Sequence, residues 1–200
     1  MKRARGHSRA VLLVENRTTN IGSDADSPRE LYLDLLVRIL TNMIYGDPSA
    51  HPDYVGFQPE VRTEGRDWPS VAHTMAGLRR LENLRELTQR ILDEEIPGDL
   101  LEAGVWRGGC CILMRGVLAA NANNLRKVYV VDSFDGLPPP KPHEFPHDEG
   151  LNLHLYRQLA VSLEEVKENV SRYGLLDEQV SSSKDSFRTH CPRWKPVRSL

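Results

Sequence analysis

The chain has 200 residues, 40% of them hydrophobic and 27% charged, a balance that suits one globular unit with a buried core rather than a disordered tail. Lys and Arg number 26 against 28 Asp and Glu, for a formal charge of −2, so no broad electrostatic attraction draws it to nucleic acid or to an anionic membrane surface. No apolar run is long enough to span a bilayer, and a small molecule becomes the expected partner, with a homo-oligomer left open.

Residues 1–26 read as a polar leader. It starts basic, "MKRARGHS", but its apolar run of five residues, "AVLLV", is closed by Glu15 and Asn16 and is too short for a secretory core. The three cysteines, Cys110, Cys111 and Cys191, are an odd set without metal-site spacing. They predict free thiols and a cytoplasmic location.

Residues 27–98 read as an N-terminal helical segment. Ser27 and Glu30 form a capping box with Pro28 at the first helical position. Leu31, Leu35, Leu36, Ile39, Leu40 and Met43 share one face of "PRELYLDLLVRILTNMIYG", which predicts a helix ended by Gly46. The stretch "DYVGFQPEVRTEGRDWPS", rich in Gly, Pro and charge, predicts a loop. Val71, Met75, Leu78, Leu81, Leu84, Ile91 and Leu92 then recur at helical spacing over "SVAHTMAGLRRLENLRELTQRILDEE", a second helix stopped by Pro97 and Gly98.

Residues 99–180 read as a partial cofactor-binding α/β domain. Leu100 and Leu101 make a short strand, "GGCCILMRGVLAAN" a helix, and "KVYVVD", Lys127 to Asp132, a buried strand. Strand, turn, helix, strand suits a right-handed crossover between parallel strands, so the predicted class is α/β with helices on a parallel sheet. Further on, Ser162 and Glu165 form a capping box for "LEEVKENVSRYG", with Val166, Val170 and Tyr173 as its packing face and Gly174 as its C-cap. Between these lies "KPHEFPHDEG", where His143, Glu144, His147, Asp148 and Glu149 could hold a metal. Its prolines favour a solvated lid instead, and no metal ligand is assigned.

The turn "DLLEAGVWRGGCC" carries the functional question. A dinucleotide fingerprint needs glycine at its middle position so that backbone can approach a pyrophosphate, and Trp106 stands there. No Gly-Lys-Ser/Thr follows, which excludes a P-loop. S-adenosylmethionine carries no phosphate, and its amino and sulfonium groups are cationic, so an acid such as Glu102 would favour it. Asp132, ending the next strand, could accept hydrogen bonds from both ribose hydroxyls. Tight packing of the turn, with Asp132 as a simple cap, explains the same residues without any ligand. Cys110 and Cys111 fall in the first turn of the helix, where a thiol pKa can drop, yet no paired His is evident and packing is the expected role.

Four ordered blocks, "GRDWPSVAHTMAGLRRLENL", "GDLLEAGVWRGGCCILMRGVLAA", "VYVVDSFDGLPPP" and "LAVSLEEVKENVSRYGLLDEQV", together resemble the macrocin O-methyltransferase family, from about residue 28 to Val180. The resemblance implies a Rossmann-like S-adenosylmethionine methyltransferase fold and methylation of a sugar hydroxyl on a macrolide-like secondary metabolite. It implies that Glu102, Gly104, Asp132, Ser133 and Phe134 line the cofactor site, with Thr74 and Met75 covering the cofactor from the preceding helix. It also implies magnesium, which would bind the sugar hydroxyls and lower their pKa. The family's metal and base motifs resemble "LDGD" and "DDY", and neither occurs in these 200 residues. No catalytic residue is therefore assigned.

Residues 181–200 read as a tail unlike the family. Codons can be chosen for "VSSSKDSFRTHCPRWKP" that read, two nucleotides on, as a family-like strand, which suggests a frame shift. Basic residues Arg188, Arg193, Lys195 and Arg198 are too few for a nucleic-acid site. On this reading the sheet is incomplete, Leu101, Val128, Val130 and Val131 lose neighbours at roughly 1.5 to 3 kcal/mol each, and a poorly folded, catalytically inactive remnant is the alternative to an active enzyme.

Overall fold

The computed structural model describes residues 27–184; the leader and most of the tail lie outside them. The elements follow as α1 (Pro28–Leu40), α2 (Pro59–Glu64), α3 (Leu78–Asp93), β1 (Leu100–Ala103), α4 (Gly109–Ala120), β2 (Val128–Asp132), α5 (Leu163–Arg172) and β3 (Val180–Lys184). The three strands form a parallel sheet in the order β1-β2-β3. Leu100 pairs with Val128 and Val128 with Val180, and the register runs on to Asp132 opposite Lys184. This is the expected Rossmann-like α/β class, and the open edge at β1 is where a doubly wound sheet would reverse its strand order.

Helix α4 is the hub. Every residue from Cys111 to Leu118 is buried, as befits a helix apolar on nearly all sides; the exception, Arg115, pairs with Asp177. Cys111, Met114 and Leu118 face the sheet through Leu100, Val128 and Val130. Ile112, Leu113 and Val117 face Leu33, Leu36, Val37 and Leu40 of α1 and Leu81 of α3. Gly116 lets α1 come this close, since a Cβ there would collide with Leu36. Val166 and Val170 of α5 complete the two clusters.

Both capping boxes form: the Ser27 hydroxyl accepts from Glu30 N–H at 3.2 Å and that of Ser162 from Glu165 N–H at 3.1 Å. Several expectations need correction. Helix α1 ends at Leu40 rather than at Gly46, and its buried face is Leu33, Leu36, Val37 and Leu40, leaving Leu31, Leu35 and Ile39 exposed. The helix carries two apolar stripes, and α4 takes the one that fits against Gly116. The expected loop over residues 53–70 contains α2, started by Pro59 and closed by Gly65 at φ 64°. Helix α3 begins only at Leu78, so residues 70–77 run as an irregular segment.

The sheet also differs from expectation. Ser181 to Lys184, set apart as tail, continue β3, because β2 offers a full row of ladder partners whatever the side chains. Val128, Val130 and Val131 are consequently buried; Leu101 is 44% exposed, the one of the four that keeps an open side. Among the described residues, no helix is long and apolar enough to cross a membrane.

Candidate functional site

Beyond the carboxyl end of β1 the chain turns sharply through Gly104 at φ 79°, Trp106 at φ 48° and Gly108 at φ 85°. Glycine tolerates such angles, whereas Trp106 adopts them against steric preference. The turn is held from three sides. The Trp106 indole N–H donates to the Gln158 carbonyl at 2.9 Å. The Arg107 guanidinium stacks over the Trp106 ring at 4.2 Å and donates to the carbonyls of Pro69 at 3.1 Å and Ala72 at 2.9 Å. Asn169 of α5 donates to the Arg107 carbonyl at 3.1 Å.

The N–H of Gly109, at the start of α4, donates to the His73 carbonyl at 3.0 Å, and a Cβ on Gly109 would collide with that carbonyl. Segment 69–75 thus lies against the helix N-terminus, where a Rossmann turn would receive a pyrophosphate. The helix start is used to bind protein.

Between this segment and the turn opens a cavity of about 310 Å³ lined by Trp68, Thr74, Met75, Arg80, Glu102, Gly104, Trp106 and Cys110, among others. That volume is at the small end of the roughly 300 to 1,000 Å³ typical of small-molecule sites. Four of the sequence-predicted residues, Thr74, Met75, Glu102 and Gly104, meet here. Thr74 and Met75 come from the irregular segment, not from a helix as expected.

Asp132, the last residue of β2, and Ser133 and Phe134 just beyond it do not line this cavity. Asp132 Oδ2 accepts from Val105 N–H at 2.8 Å, and Oδ1 from Phe134 N–H at 3.0 Å and the Ser133 hydroxyl at 3.3 Å. A carboxylate has about four lone-pair sites, so Asp132 ties the two strand ends together with capacity for about one more donor. Phe134, at φ 57°, is buried with Val105 and Val161.

The electrostatics centre on Glu102. Burial raises its carboxyl pKa, the charge of Asp132 adds to the rise, and hydrogen bonds from Cys111 and Cys110 oppose it. The Cys111 thiol donates to Glu102 Oε2 at 2.9 Å. Burial and the nearby Glu102 charge in turn push the Cys110 thiol up to about 12 and Cys111 well above the ordinary range. Both are held as thiols, in keeping with a packing role. A desolvated carboxyl at a cavity wall is poised to receive a cation, which repays its burial.

The far wall rests on residues that sequence reasoning missed. Arg62 of α2 is fully buried. Its Nε donates to Asp67 at 2.8 Å, Nη1 to Asp47 Oδ1 and to the Thr41 carbonyl, each at 2.8 Å, and Nη2 to the Asp47 carbonyl at 3.0 Å. Asp47 Oδ2 accepts from Val71 N–H at 2.6 Å and Ala72 N–H at 3.3 Å. Burial alone would raise the Asp47 pKa, but hydrogen bonds from Arg62, Val71 and Asn42, with the Arg62 charge, hold it at about 2. Pro59 and Gly65 bracket α2 and could have revealed the helix; nothing in the sequence marks Arg62 as buried, since charged side chains are mostly exposed.

Among the described residues, no three His, Cys, Asp or Glu side chains gather as a metal ion would need. Around "KPHEFPHDEG" the chain forms a short 3-10 turn, Pro146–Asp148, and a rim contact of Tyr156 with Trp68, ring centres 5.0 Å apart, reaches the cavity from the residues that follow.

The macrocin O-methyltransferase (TylF) family model matches residues 29–199. A demethyldecarbamoylnovobiocin O-methyltransferase of Streptomyces niveus is 45% identical over 183 residues, 88% of this chain and 69% of the relative. The 8-demethyl-8-(2,3-dimethoxy-alpha-L-rhamnosyl)-tetracenomycin-C 4'-O-methyltransferase of Streptomyces olivaceus is 45% identical over 170 residues, 84% of this chain and 65% of the relative. Mycinamicin III 3''-O-methyltransferase of Micromonospora griseorubida is 45% identical over 169 residues, 82% of this chain and 66% of the relative. The solved O-methyltransferase NovP superposes with a TM-score of 0.72 at 48% identity, over 77% of this chain and 63% of its own. The chain spans about two thirds of the length of these proteins and belongs to the macrocin O-methyltransferase (TylF) family.

Proposed function

We propose that the chain binds S-adenosylmethionine in the cavity between segment 65–76 and the glycine turn, and that it serves the O-methylation of a hydroxyl on a sugar-bearing secondary metabolite. The observation that carries the cofactor assignment is the meeting of Thr74, Met75, Glu102 and Gly104 around one cavity whose helix N-terminus is already taken by His73. Such a site suits an adenosyl cofactor with cationic groups and no phosphate. The acceptor class rests on the relatives, one named for a rhamnosyl tetracenomycin and others for novobiocin and mycinamicin derivatives.

When bound, S-adenosylmethionine supplies a methyl group already activated on a sulfonium sulfur. Glu102 would face the cofactor's positive charge, Trp106 and Met75 would wall out water, and Asp132, at the strand end beside the cavity rather than in its lining, would offer its remaining lone pair to a ribose hydroxyl. Magnesium, implied by the family resemblance, finds no ligand set among the described residues, and no step is routed through it. No described residue is assigned to removing the acceptor's proton.

Calorimetric titration with S-adenosylmethionine tests the site. The parent chain binds, and Asp132→Ala weakens binding about tenfold or more, the scale of one hydrogen bond to a charged group. A parent chain that does not bind overturns the assignment. Methyl transfer to a deoxysugar-bearing acceptor, assayed with and without magnesium, then separates an enzyme from a protein that only binds the cofactor.

A further inference from the structure

Arg107 is the residue of the turn that the cofactor reading leaves unexplained. It does not line the cavity, yet its contacts are the most extensive in the turn. Its guanidinium lies over the Trp106 ring, and one of its nitrogens serves the carbonyls of both Pro69 and Ala72. Those two carbonyls belong to the stretch that leads into Thr74 and Met75 at the cavity. Trp106, the partner in the stack, is itself a cavity wall and is strained at φ 48°. On its far side the indole N–H reaches Gln158.

We propose that Arg107 is a positioning residue for the cofactor pocket: it fastens segment 69–75 across the glycine turn and holds Trp106 in its wall position, so that both sides of the cavity are set before a ligand arrives. The inference rests on the proposed S-adenosylmethionine site. Its physical content is preorganisation. Segment 69–75 has no helical or sheet ladder of its own apart from an isolated bridge between Ser49 and Pro69. Asp47 holds the N–H groups of Val71 and Ala72, and the Gly109 N–H holds the His73 carbonyl; Arg107 adds the ties at the Pro69 and Ala72 carbonyls, so without it the segment is held at fewer points, the binding step must order more of it, and affinity falls. A guanidinium suits the task better than an ammonium, because it can stack by its face while donating at its edge to two acceptors.

Three measurements on the whole chain test this: dissociation constants for S-adenosylmethionine, thermal midpoints, and the response of each variant to millimolar guanidinium chloride. Arg107→Met keeps the stem over Trp106 and removes the donors. It is expected to weaken S-adenosylmethionine by about tenfold, or 1.4 kcal/mol, with a much smaller relative change in thermal midpoint, and added guanidinium restores part of the affinity. A purely structural role predicts the opposite, a lowered midpoint that guanidinium lowers further and an affinity that it does not restore, and that result overturns the proposal. If Arg107→Met does not fold, Arg107→Lys carries the test through an intermediate loss of affinity, since one ammonium cannot stack and serve both carbonyls; parental affinity there overturns the proposal. A parent chain that fails to bind overturns the cofactor assignment and this role together, whereas a parent that binds no better than Arg107→Met overturns this role alone.

Discussion

The two walls of the cavity are built from opposite materials. The wall from Glu102 to Cys110 is an extension of the apolar core: a strand, a glycine turn and the first residues of a helix buried on every side. The wall from Gly65 to Ala76 is largely irregular and hangs on one buried guanidinium with two buried carboxylates, Asp47 and Asp67. The first wall is seated on area removed from water, which is non-directional and forgiving, with the bonds that hold its turn added to that base. The second depends on directional charge-assisted bonds whose loss leaves uncompensated charge. A pocket assembled this way has one side defined by the fold and one defined by a local network, and the two should fail under different insults.

Three experiments break or sharpen that contrast. The largest effect is expected from Arg62→Met, which strands Asp47 and Asp67 without their cation and should cost about 3 to 5 kcal/mol, read as the shift of a urea unfolding midpoint. A loss below about 1 kcal/mol would mean that the second wall does not depend on its ion network. Acid comes next. Asp47 has a folded pKa of about 2 against an ordinary 3.8, so its contribution of about 2 kcal/mol is present above pH 4 and is lost as pH falls toward 2. Following stability over that window should show this decline in the parent and a smaller Asp47 share in Arg62→Met, where Val71 and Asn42 are left to oppose burial. The smallest effect belongs to the apolar wall. Cys111→Val removes the thiol donor to Glu102 and should cost about 1 kcal/mol from the lost bond, with Cys111→Ser largely restoring it in thermal denaturation.

The same contrast explains what was legible in the sequence. The apolar wall follows from short-range signals: β-branched runs at Val128 to Val131, glycines before a helix, and Ser27 and Ser162 at helix starts. Even there Ser181 to Ser183 were set aside, because a polar triplet gives no strand signal and only pairing to β2 makes it one. The charged wall was misread. Val71 and Met75 fall in helical phase with Leu78, but Asp47 takes the N–H groups of Val71 and Ala72, and Arg107 takes the carbonyls of Pro69 and Ala72. Backbone groups that a helix would need are consumed by side chains distant in sequence, Arg107 thirty-five residues from Ala72 and Asp47 twenty-five from it. Periodicity cannot report such competition. Of the predicted site, Thr74, Met75, Glu102 and Gly104 converge, whereas Asp132, Ser133 and Phe134 sit beside the strand ends in turn-forming bonds.

The pair of thiols beside Glu102 has a consequence for a protein that handles an electrophile. A sulfonium methyl reacts far more readily with a thiolate than with an alcohol, so a cysteine in the wall of such a pocket invites self-alkylation. Burial and the Glu102 charge push the Cys110 thiol far above the ordinary range, so it stays protonated at neutral pH. Cys111, raised well above the ordinary range, keeps its proton in a hydrogen bond to Glu102. The carboxyl that would welcome the cofactor's positive charge thus also keeps its methyl group from being spent on the protein.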